Sequence, residues 1–154
     1  MKARTILASL AVFLTGVAVG IAADAHMGTW KLNDDKSQIG AGATKNHTVI
    51  YTAAGDGLKV TVDGINSEGK PVHHEWTGKV DGKDYPVTGD PTSDVRSYKK
   101  IDDRTLEFVG KKGDKVTVTG RVVVSADGKT RTVTTSVTDA KGNKIENTAI
   151  YDKQ

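Results

Sequence analysis

The residues able to do chemistry in this chain are few, and histidine dominates them. His73 and His74 are adjacent and Glu75 follows. On a strand, neighbouring side chains point to opposite faces, so the two imidazoles cannot share one metal, whereas His73 and Glu75 lie on one face. A metal site needs a further donor, and His47 supplies it only if its strand pairs alongside. No cysteine occurs, and no D-x-D-x-D-G run offers a calcium loop. Gly40-Ala41-Gly42-Ala43-Thr44-Lys45 lacks the spacing and the strand-to-helix context of a phosphate loop. There is no G-x-S-x-G elbow, and Asp34-Asp35 and Asp102-Asp103 fall where carboxylates form turns. The expectation is a protein with no metal, no cofactor and no catalytic group. What remains is a set suited to a ligand pocket: Tyr51, His74, Trp76, Tyr98 and Phe108, with Arg121 as a polar contact. The same aromatic residues equally suit a filled core.

Strands must position these residues. Val49 and Tyr51 alternate with Thr48, Ile50 and Thr52; Leu58, Val60 and Val62 alternate with Lys59, Thr61 and Asp63. Val72, His74 and Trp76 share a face, as do Leu106 and Phe108. The longest run is Lys115 to Ser125, with Val116, Val118, Gly120, Val122 and Val124 on one side. Turn signals separate the runs: Gly55-Asp56-Gly57, Asn66-Ser67-Glu68-Gly69, Asp81-Gly82, Gly89-Asp90-Pro91, Lys112-Gly113-Asp114, Asp127-Gly128 and Lys141-Gly142-Asn143. Asp34 to Lys45 is a loop with one short helical turn at its start, and Pro86 makes Asp84 to Thr88 an irregular or edge strand. No segment sustains a helical apolar period. The fold class is therefore all-β: an antiparallel up-and-down meander of about 8–10 strands, which closes into a barrel and so removes its edges. A two-sheet sandwich is the alternative.

The first residues read as an address. Lys2 and Arg4 precede an uncharged apolar run, Thr5 to Ile21, and Ala23-Asp24-Ala25 follows as an A-x-A site. Residues 1–25 are thus expected to be a cleaved signal peptide, and residues 26–154 one barrel domain without a membrane span, periplasmic or secreted. An exported domain without cysteine holds itself by burial and hydrogen bonds alone, which suits a bacterial periplasm. The net charge is +3, from 22 basic and 19 acidic residues that are interleaved, which argues against nucleic acid as a partner. A monomer is expected.

Gly28-Thr29-Trp30-Lys31-Leu32 resembles the G-x-W opening of the calycin superfamily, the lipocalins and fatty-acid-binding proteins. The chain is also similar to uncharacterised exported bacterial proteins described as lipocalin-like, which share the G-T-W-K-L-N opening and D-G-K turns. The resemblance implies a barrel closed at one end by Trp30 beside Gly28. Two departures limit what it carries over. Asp34 to Lys45 is too short for the helical lid of the fatty-acid-binding branch. That branch's carboxylate site pairs Arg and Tyr two residues apart near the C-terminus, and Ala149 stands two before Tyr151 here. Haem-binding barrels with this opening use a late histidine, and none follows His74. The implied function is non-catalytic binding of a small apolar or amphipathic ligand inside the barrel. The alternative is a cell-envelope structural or interaction module with a filled interior.

Overall fold

Alternating β-branched and polar residues pack well on a pleated surface, and they form ten strands here. They are β1 (Gly28–Leu32), β2 (Lys45–Ala54), β3 (Gly57–Ile65), β4 (Pro71–Gly78), β5 (Tyr85–Thr88), β6 (Val95–Asp102), β7 (Thr105–Lys112), β8 (Lys115–Val124), β9 (Thr130–Thr138) and β10 (Lys144–Lys153). The structure is a computed structural model and describes residues 25–154. The expected signal peptide lies outside the described residues except for Ala25. Each strand pairs antiparallel with its sequence neighbours, and β1 also pairs with β10, so the sheet closes into an up-and-down barrel rather than a sandwich. A 3-10 turn at Asp34–Lys36 follows β1, where the Asn33 side chain accepts from the Lys36 N–H. No helix among the described residues is long and apolar enough to cross a membrane.

The wall is thinnest at β5. It meets β4 only through Glu75↔Thr88 and Trp76↔Val87, and β6 only through Tyr85↔Arg96 and Pro86↔Val95. Pro86 has no N–H to give, so it is tolerated where the ladder is short.

The two ends of the barrel differ. At one end, Trp30 is fully buried and its Nε1 donates to the His26 carbonyl at 2.8 Å. The Arg131 guanidinium lies 5.1 Å from the Trp30 ring centroid, 5.0 Å from Tyr51 and 4.7 Å from Tyr151. Three aromatic faces thus receive one buried cation, an arrangement favoured where water is excluded. Gly28 adopts φ +110, which L side chains rarely adopt, and a Cβ there would press within 3.1 Å of the Lys153 Cε. Leu58, Leu106 and Val124 are also buried among the core residues. This end is filled.

Candidate functional site

The opposite end is hollow. The β1–β2, β5–β6 and β9–β10 connections line the mouth of a cavity of about 520 Å³. That size lies within the usual range of small-molecule sites. Val72 of β4, Val116 and Val118 of β8, Val133 and Val137 of β9, and Ile145 of β10 supply an apolar lining. Polar groups are set among them. Asn46, His74, Asp90, Arg96, Thr135 and Asn147 all line the cavity.

Arg96 and Asp90 form the centre of this polar set. The Arg96 Nη2 donates to Asp90 Oδ2 at 2.6 Å, and the two side chains are only 9% and 5% exposed. Asp90 is held in place by its neighbours. Gly89 takes φ +78 and packs so tightly on the His73 carbonyl that no side chain fits there. Asp90 Oδ1 then accepts from the Thr92 N–H at 2.8 Å and its hydroxyl at 2.7 Å. Burial alone would raise the Asp90 carboxyl; the Arg96 charge and the Thr92 donors outweigh it and hold it below its ordinary value. Arg96 also lies 5.4 Å from the Phe108 ring centroid.

His74 is the second element. Burial, reinforced by the Arg96 charge, pushes its imidazole down to about 4, so it is neutral at physiological pH. Its Nε2, the Arg96 Nε and the Asn46 Oδ1 are buried without a hydrogen-bond partner in the protein. Asn147 is satisfied: its Nδ2 donates to Thr135 Oγ1 at 3.1 Å, and its Oδ1 accepts from the Gly40 N–H at 2.8 Å. That second bond ties the β1–β2 loop to the barrel mouth.

The residues singled out from the sequence separate into four groups. His74 and Phe108 line the cavity. Tyr98 and Trp76 stack beyond them in the core: Tyr98 is 5.5 Å from Phe108, Trp76 is 4.6 Å from Tyr98, and the Trp76 Nε1 donates to the Arg96 carbonyl at 2.8 Å. Tyr51 belongs to the filled end beneath Arg131, where burial, with Tyr98 beside it, pushes its phenol up and keeps it protonated. Arg121 is a correction. Val118 and Val122 point inward along β8, which leaves Arg121 outside, paired with Glu107 at 2.6 Å and half exposed. Gly120 does not widen this cavity, because the Phe108 ring packs directly over it. Arg96, Asp90, Asn46 and Asn147 were not singled out. The signal for Arg96 was its phase: it alternates with Tyr98, an inward residue, and a charged side chain on an inward face demands a partner.

No protein-family model matches the chain, and no curated protein does. Among solved structures, it is similar to a redesigned beta barrel, mFAP1, bound to DFHBI. The identity is 14%, the match covers 86% of this chain and 98% of that chain, and the TM-score is 0.46. A likeness of this strength carries no functional information. The class defined by the fold and site is a ten-stranded up-and-down β-barrel, filled at one end and hollow at the other.

Proposed function

We propose that this chain is an exported, non-catalytic barrel of the lipocalin-like kind that binds a small amphipathic molecule in the hollow end. The observation that carries the binding is the cavity of about 520 Å³, whose valine lining is interrupted by His74, Arg96, Asp90 and Asn46. A ligand that met the partnerless buried atoms of His74, Arg96 and Asn46 would offset the cost of about 1–3 kcal/mol that each unmade buried hydrogen bond carries. Export rests on Lys2, Arg4, the run Thr5 to Ile21 and the Ala23-Asp24-Ala25 site. The G-x-W opening at Gly28 and Trp30 supports the family likeness.

The test is titration of delipidated protein with neutral and acidic amphipathic probes, followed by tryptophan fluorescence and thermal melting. A ligand bound only by the folded state raises the melting temperature with its concentration. Val133→Trp fills the cavity from β9, and a folded variant is expected to lose the shift while keeping its strand-rich spectrum. If no probe shifts the wild type, the interior is not a binding site.

A further inference from the structure

Resting on that reading, we infer that the cavity selects a ligand with a neutral, hydrogen-bonding head group and rejects a free carboxylate. The charges in the cavity wall cancel internally. Arg96 is the buried cation, and its charge is already met by Asp90 at 2.6 Å. Asp90 also accepts from the Thr92 N–H and hydroxyl on its other oxygen. His74 contributes no charge. A carboxylate brought to this wall would meet a guanidinium whose counter-ion is in place, next to a second carboxylate. It would lose its hydration without gaining an unpaired cation, which is costly for a buried ion.

Hydrogen bonds, by contrast, remain to be made. Arg96 Nε is a donor without an acceptor and Asn46 Oδ1 an acceptor without a donor. His74 Nε2 serves either way in the neutral ring, depending on the tautomer. Arg96 and His74 are each more than nine-tenths buried, so these needs are not met by bulk water. A primary amide or an alcohol carries both a donor and an acceptor, the two kinds of group this set calls for. Its alkyl body would lie along Val118, Val133 and Val137. The cations at the mouth do not alter the balance. Lys112 reaches Asp94 at 3.4 Å, and Lys115 is exposed, where salt screens it beyond roughly 8 Å.

The experiment compares decanamide, decanol and decanoate at neutral pH by calorimetry and thermal shift, with a neutral environment-sensitive dye as a reference ligand. The amide and alcohol are expected to bind, and decanoate to bind roughly tenfold more weakly or less, reflecting desolvation of an unpaired ion. Asp90→Asn keeps the shape and frees the Arg96 charge, so in a folded variant the order reverses toward decanoate. A merely structural Asp90 would lower stability without inverting the preference. Decanoate binding as tightly as the amide overturns the inference while leaving the binding function intact. An unchanged order in folded Asp90→Asn overturns it as well. Failure of every probe, the dye included, overturns the binding function itself. If Asp90→Asn does not fold, the wild-type series decides alone.

Discussion

Trp30 shows how much one side chain holds at the filled end. It is fully buried, donates to the His26 carbonyl, and carries the Arg131 guanidinium on its ring face. Trp30→Ala removes the largest ring beneath that cation, and the expected loss is about 3–5 kcal/mol in urea unfolding. A loss below about 1 kcal/mol, the scale of surface changes, would show that Trp30 does not support this end. His74 marks the other end through pH. Burial first, and the Arg96 charge second, depress its pKa to about 4 from an ordinary 6.5. The unfolded chain therefore binds the extra proton between those values. Stability is full above pH 6.5 and falls as pH drops toward 4. Asp90, also depressed, adds a loss on the acid side. A His74→Gln variant is expected to flatten the stability profile between pH 4 and 6.5 and to keep the carboxylate part below. An unchanged profile would mean His74 is protonated freely in the folded state. At this scale the sequence was legible for His74 and Phe108, which sit in phase with apolar neighbours. It misled at Arg121 because a lone arginine near a valine run looks available, while its phase already assigned it outward. Arg96 and Arg131 went unread because charge suggests solvent, although Arg131 alternates with Val133 and Val137.

Strands were the most legible element, since period-two alternation and glycine turns are local signals that tertiary packing does not need to correct. The ten observed strands follow that rhythm, and even the 3-10 turn at Asp34–Lys36 stands where the loop was expected to carry one. Closure was not local. It depends on β1 meeting β10 through Trp30↔Lys153, Lys31↔Asp152 and Leu32↔Tyr151, partners at opposite ends of the chain. The position of the hollow was not local either, because the ring of Phe108 takes the space that Gly120 leaves and the volume opens instead against β9 and β10. Unequal pairing along the wall predicts unequal protection. β5 has two residue pairs on each side, whereas β9 and β10 share an unbroken register from Lys144↔Thr138 to Asp152↔Thr130. Amide hydrogen exchange of Val87 and Thr88 is expected to be faster than that of the central β9 and β10 amides, as local opening is cheapest where few bonds must break. Equal protection would mean that the barrel opens only as a whole. Slower exchange in β5 on adding a bound probe would place the ligand's effect at the wall that carries Asp90 and Arg96.

Across the described residues, the segment from His26 to Trp30 and the C-terminal Lys153 and Gln154 gather at the end away from the cavity. The Gln154 N–H donates to the Thr29 carbonyl at 2.9 Å, and the Lys153 Nζ stands 5.2 Å from the Trp30 ring centroid. His26 is 1% exposed, and its carbonyl is the acceptor for Trp30. The residue immediately after the expected cleavage site is thus a working part of the filled end. The proposed cleavage after Ala25 retains it, and intact-mass measurement of the protein from the source cell's envelope is expected to find His26 first. Removal of His26 and Met27 takes away the Trp30 acceptor and uncovers the ring. A chain beginning at Gly28 is therefore expected to be less stable by about 1–3 kcal/mol than one beginning at His26, the cost of leaving a buried donor unmade. For a domain of this size that lowers the melting temperature by several degrees. The cavity lies at the opposite end and shares no side chain with His26, so affinity for a neutral probe is expected to stay the same in both chains. Equal melting temperatures would remove His26 from the filled end's support. A parallel loss of probe affinity would show instead that the two ends are coupled through the aromatic stack of Trp76, Tyr98 and Phe108.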